Sequence, residues 1–110
     1  MSFYLMRFSY TPEAWARLIK QPEDRREVAR GVVERLGGKL HGFWYALGEH
    51  DGFVLIEAPD NVGAAAFSVG ISAGGALRSA ETTVLFTVEE TIEMLRRAQG
   101  IPYRPPGEKK

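Results

Sequence analysis

The sequence predicts an α+β fold, one antiparallel sheet with its helices gathered on a single face. Three observations predict it. Residues Gly37 to Pro59, GGKLHGFWYALGEHDGFVLIEAP, read as two strands joined by a tight turn at Gly48–Gly52. Aromatic and branched residues there flank a Gly/Asp-rich interval that tolerates the positive φ of hairpin turns. One alternating stretch precedes this hairpin and another follows it, and each is separated from it by a segment with helical apolar spacing.

The first strand is Phe3 to Tyr10. Tyr4, Met6, Phe8 and Tyr10 make one apolar face, while Phe3, Leu5, Arg7 and Ser9 make a second face that turns polar toward the strand's end. Thr11-Pro12-Glu13 then opens a helix, with Thr as cap, Pro at the first position and Glu at the positive dipole end. Trp15, Leu18 and Ile19 form its short apolar stripe. Pro22 interrupts, and a second helical piece runs from about Glu23 to Leu36 with Val28, Ala29, Val32, Val33 and Leu36 on one face. One kinked helix and two consecutive helices both fit this pattern. Gly37-Gly38 ends it.

After the hairpin, Asp60 is the expected cap for a helix whose apolar positions are Val62, Ala65, Ala66, Val69 and Ala73, with Ala64-Ala65-Ala66 suited to close packing on a sheet. The last strand covers about Ser79 to Thr87. Thr87-Val88-Glu89-Glu90 fits a capping box for a terminal helix. The order is β-α-β-β-α-β plus one helix, the ferredoxin-like split-βαβ arrangement. Residues 1–98 form the expected domain, and residues 99–110 a Pro-rich tail.

Bulk composition narrows the function. The 110 residues make one domain, with 14 basic and 14 acidic side chains balancing to zero net charge. That balance argues against nucleic acid as a partner, since phosphate neutralisation draws on a surplus of Lys and Arg. The absence of cysteine excludes disulfides, thiol catalysis and Cys-based zinc sites. No signal peptide and no membrane-length apolar run is visible, so a cytoplasmic location with no membrane partner is expected.

Helices cover only one face of such a sheet, yet both faces of the hairpin strands are apolar. Phe43 and Tyr45 oppose Trp44 and Ala46, and Val54 and Ile56 oppose Phe53 and Leu55. A water-facing surface would be polar. The second face is therefore expected to bury itself against another copy of the chain, giving a homodimer.

The run LGGKLHGFWYALGEHDG, followed by FVLIEAPD and an Ala-rich helix with Phe67, resembles the GYD-domain family. The resemblance extends from about Phe3 to Leu95 and is most specific over Leu36 to Ala66. The family's Gly-x-Tyr-Asp turn corresponds to Gly48-Glu49-His50-Asp51, with His50 in place of the tyrosine. The resemblance implies a dimeric α+β barrel. It leaves activity open, because the wider superfamily holds cofactor-free monooxygenases, small lyases and isomerases, and haem enzymes.

Candidate chemistry is sparse. His41, His50 and Asp51 are the candidate catalytic residues, since an imidazole titrating near neutrality beside a carboxylate suits acid–base work. The alternative for Asp51 is a structural turn residue that accepts backbone N–H groups. Arg7, His41, Trp44, Tyr45 and Glu81 are the candidate ligand-binding residues, with Glu57 and Thr83 as further polar strand positions. Together they suit an apolar pocket with a few polar groups, or else cross-strand pairs. Two histidines without metal-ligand spacing imply no metal, and no phosphate-loop or nucleophile-elbow motif is present. No cofactor is expected. The leading expectation is a homodimer that binds a small apolar or aromatic molecule between its paired sheets. The alternatives are a cofactor-free enzyme using a His acid–base group, and a purely structural oligomerisation module.

Overall fold

A computed structural model of the chain describes residues 1–108. Its elements are β1 (Ser2–Tyr10), α1 (Pro12–Lys20), α2 (Arg26–Arg35), β2 (Lys39–Tyr45), β3 (Gly52–Ala58), α3 (Asn61–Ser72), β4 (Leu77–Leu85) and α4 (Val88–Ala98). The strands pair antiparallel in the order β2-β3-β1-β4, the ferredoxin-like topology.

Local chemistry fixes the helix starts. Thr11 Oγ1 accepts the Ala14 N–H at 3.1 Å, and Asp60 Oδ1 accepts that of Gly63 at 2.8 Å. Thr87 and Glu90 exchange both bonds of the capping box at 3.0 and 2.8 Å. The segment around Pro22 resolves into two helices. α1 stops at Lys20, and Asp24 opens the next by accepting the Arg26 N–H at 2.9 Å. The Arg26 side chain and backbone N–H hold the Asp24 carboxyl down at about 2.

The core lies between the sheet and α1–α3. Tyr4, Met6, Phe8 and Tyr10 of β1 meet Val54 and Ile56 of β3, Leu40 of β2, Ala14 of α1, Val33 of α2 and Phe67 of α3. Their burial supplies the main driving force for the fold. Gly52 belongs to this core and not to the turn. A Cβ there would stand 2.2 Å from the Phe8 ring, so glycine lets that ring lie against the β3 backbone without a shift of either. The turn itself is a longer loop from Ala46 to Asp51, closed by the Ala46 N–H donating to Asp51 O at 2.8 Å, with Gly48 supplying a φ of 127°.

Two apolar stripes differ from expectation. Ile19 is 77% exposed, so α1 packs through Ala14, Trp15 and Leu18. In α3 the buried residues are Ala64 and Phe67, while Val62 and Val69 are 78% and 69% exposed. α3 is apolar nearly all round, so periodicity selects no face, and the bulk of Phe67 decides which side enters the core. β4 is shifted two residues toward the N-terminus of the predicted strand.

One feature of β2 governs the site. Leu40 pairs with Ile56 and Gly42 with Leu55, leaving His41 as the extra residue of a bulge. The bulge reverses the alternation, so Leu40, Phe43 and Tyr45 all face the helices while Gly42 and Trp44 face away. α4 follows β4 without burying any residue, and Val88, Ile92 and Leu95 along it are exposed. Residues 101–108 carry no helix or strand, and the final two tail residues, 109–110, lie outside the described residues.

Candidate functional site

The sheet face that carries no helix is built of three cross-strand rows. Trp44, Phe53, Arg7 and Glu81 form one, Gly42, Leu55, Leu5 and Thr83 the next, and Lys39, Glu57, Phe3 and Leu85 the third. Successive members of a row sit on neighbouring strands, and rows two residues apart share a face. The centre is aliphatic, Leu5 beside Leu55, bordered by Phe3 and Phe53. Trp44 is 54% exposed, and its indole folds back over the Cα of Gly42, where a Cβ would lie 2.2 Å from the ring.

The polar groups on this face pair across strands. Arg7 Nη1 donates to Thr83 Oγ1 at 2.8 Å. The bulge places His41 Nε2 3.0 Å from Glu57 Oε1, with the Phe3 ring centroid 5.2 Å from the imidazole. His50 Nε2 lies 3.2 Å from Glu81 Oε2, its side chain only 16% exposed, and its Nδ1 is buried without a hydrogen-bond partner among the described residues. Each histidine thus has a glutamate beside it, and neither is paired with Asp51.

Asp51 turns the other way. Its Oδ2 accepts the Tyr10 N–H at 2.9 Å and the Trp15 indole N–H at 3.2 Å, and its own N–H donates to Phe8 O at 2.8 Å. It is the structural anchor of the loop. Ser9, fully buried, supports the same loop by donating its hydroxyl to Glu49 O at 3.1 Å.

The candidate ligand residues therefore divide between the two faces. Arg7, His41, Trp44 and Glu81 share the uncovered face, as do Glu57 and Thr83. Tyr45 does not. It joins Phe8, Tyr10, Trp15 and Phe43 in an aromatic cluster on the helix side, with its hydroxyl 3.1 Å from that of Tyr10. Burial and the Tyr45 hydroxyl push Tyr10 well above the ordinary phenol range, so Tyr10 stays protonated. The pairing of the Tyr10 and Tyr45 hydroxyls was not legible in the sequence, because nothing marks a core tyrosine as different from any other apolar strand residue. Among the described residues no three His, Cys, Asp or Glu converge as metal ligands, and no helix is long and apolar enough to cross a membrane.

A ferredoxin-like α+β domain with one uncovered, half-apolar sheet face is the class these features define. The chain belongs to the GYD-domain family, whose model matches residues 4–95. No curated protein sequence matches it significantly. Among solved structures it is similar to FFRP-DM1 at 14% identity and a TM-score of 0.50, covering 78% of this chain and 100% of that one. It is also similar to MtbAldR at 13% identity and a TM-score of 0.55 over 78% of this chain, spanning about half (52%) of that protein. An uncharacterised NIPSNAP domain protein from Burkholderia xenovorans shares 17% identity over 80% of this chain and 95% of that one, with a TM-score of 0.49. At these identities the first two likenesses show the fold alone.

Proposed function

We propose that this GYD domain works as a homodimer, formed by two uncovered sheet faces packing together, and that the seam binds a small apolar or aromatic molecule. One observation carries the reading. Phe3, Leu5, Phe53, Leu55 and Leu85 lie together, half-buried, on a face that no helix covers. A contiguous apolar patch of this kind marks an association surface. Around it stand Arg7, His41, Trp44 and Glu81, the polar and aromatic borders that a seam ligand would meet.

Sedimentation velocity at micromolar concentration tests the association. A dimer is expected for the native chain and a monomer for Leu5→Glu, which buries an unpaired charge in the seam. A native chain that sediments as a monomer sinks the reading. Native mass spectrometry of the purified dimer tests the ligand, with a releasable small-molecule adduct expected on the native protein and absent from Leu5→Glu.

The His41–Glu57 pair at 3.0 Å supports a second reading, proton transfer on the bound molecule. Its test is solvent deuterium incorporation into the released adduct, expected with the native protein and lost in His41→Gln.

A further inference from the structure

The helix side of the sheet holds a space that the dimer reading does not use. Between β1, α2 and α3 lies a cavity of about 80 Å³. Its walls are Met6, Phe8, Phe43, Val54, Phe67 and Leu77. Close-packed cores leave few voids larger than a water molecule, and an apolar void of this size does not suit water, which needs polar partners. The cavity is not sealed. Tyr10, Arg25 and Ala76 line both it and an outer cleft of about 350 Å³ that also receives Arg17, Gln21 and Glu23. The guanidinium of Arg25 and the phenol of Tyr10 thus stand with Ala76 where the apolar chamber meets the outer cleft.

This boundary has a definite chemistry. Arg25 stands just before α2 and offers no side-chain cap to that helix. Among the described residues it pairs with Glu23 at 3.2 Å, and both side chains are partly exposed, so the contact is weak and exchangeable. Arg25 is close enough to the Tyr10 hydroxyl to act on it electrostatically. Tyr10 is anchored by Asp51 through its backbone and by Tyr45 through its hydroxyl, so the boundary is fixed on that side. Arg17 and Arg25 against Glu23 leave the cleft one positive charge in excess. That excess matches a monoanion better than a phosphate dianion, which would meet the Glu23 carboxylate as well.

We propose that this cavity binds a small monocarboxylic acid, its apolar tail inside the chamber and its carboxylate on Arg25 and the Tyr10 hydroxyl. A planar guanidinium receives a carboxylate through two parallel hydrogen bonds, which gives orientation as well as affinity. The site lies on the opposite face from the seam and does not require the dimer.

Hexanoate is the probe, with 1-hexanol as its neutral counterpart and hexyl phosphate as the dianion, each titrated into the full chain and followed by amide chemical shifts. Hexanoate is expected to bind at least about ten times more tightly than either comparison ligand, with the shifts centred on Ala29, Phe67 and Leu77. Arg25→Gln should bring hexanoate to within about twofold of 1-hexanol and leave 1-hexanol unchanged, while Arg25→Lys recovers part of the difference. Ala29→Leu fills the chamber and should weaken both ligands at least about tenfold. Should that variant not fold, Val28→Phe narrows the same space from its partly exposed rim. Leu5→Glu should bind hexanoate as the native chain does, so a failed dimer reading and a failed cavity reading give different results. Equal affinity for acid and alcohol, an unaffected Arg25→Gln, no binding at all, or shifts centred on Phe3, Leu5 and Phe53 would each overturn the proposal.

Discussion

The carboxylate of Asp51 accepts the indole N–H of Trp15 at 3.2 Å, and this bond ties the hairpin loop to the first helix across the end of β1. The same oxygen takes the Tyr10 N–H at 2.9 Å. One side chain thus satisfies two donors that β1 and α1 leave open where the strand stops. Asp51→Ala removes the acceptor for both at once. With an unmatched buried donor costing about 1–3 kcal/mol, a loss of about 2–4 kcal/mol in urea unfolding is expected, with a change in Trp15 fluorescence. A loss below about 0.5 kcal/mol, typical of a surface change, would show that the loop is held some other way.

Tyr10 makes stability depend on alkaline pH. Its folded pKa is raised by burial and by Tyr45, whereas in the unfolded chain it ionises near the ordinary 10.0. The stabilising contribution is therefore complete below that value and is lost as pH rises above it toward the folded pKa. Unfolding free energies compared at about pH 9 and about pH 11 should fall more for the native chain than for Tyr10→Phe. Equal slopes would remove Tyr10 from the explanation.

Gly52→Ala should cost about 1–3 kcal/mol, since the new methyl would stand within the Phe8 ring and force β3 or that ring to shift. The readout is the unfolding midpoint, and a neutral result would mean that Phe8 has a second place to go.

Phe43 packs edge-on to Phe8 with ring centroids 5.7 Å apart and also lines the cavity. Its truncation to Ala is expected to cost about 2–4 kcal/mol, toward the lower part of the range for a large aromatic because Phe43 is only half-buried. A midpoint shift worth less than about 1 kcal/mol would place the ring outside the core.

α4 buries none of its residues, so a chain ending at Phe86 should keep the thermal unfolding of the domain to within about 1 kcal/mol. A larger loss at dimer-forming concentration, absent on dilution, would mean that the exposed Val88, Ile92 and Leu95 pack on a second copy.

Much of this fold was legible in the chain because its signals are local. Thr11, Asp60 and the Thr87–Glu90 pair each cap a helix through atoms within three residues, so the sequence carries the whole cause. The alternation of β1 sorted Tyr4, Met6, Phe8 and Tyr10 from Phe3, Leu5 and Arg7, and with them the two faces of the sheet.

The candidate site was less legible because its causes are long-range. The bulge at His41 is a matter of register against β3, and it alone sends His41 toward Glu57 and Tyr45 toward Tyr10. α3 is apolar nearly all round, so only packing against the sheet could choose Phe67 over Val69. His50 and Asp51 are neighbours in sequence but meet different partners, Glu81 and Trp15, because the loop that carries them is held against β1, with the Asp51 N–H donating to Phe8 O. By itself, then, the sequence determined the order of elements, their caps and the apolar character of both sheet faces. Tertiary structure decided which polar groups meet on the open face and which line the chamber behind it, since those contacts join residues that only strand register and helix packing bring together.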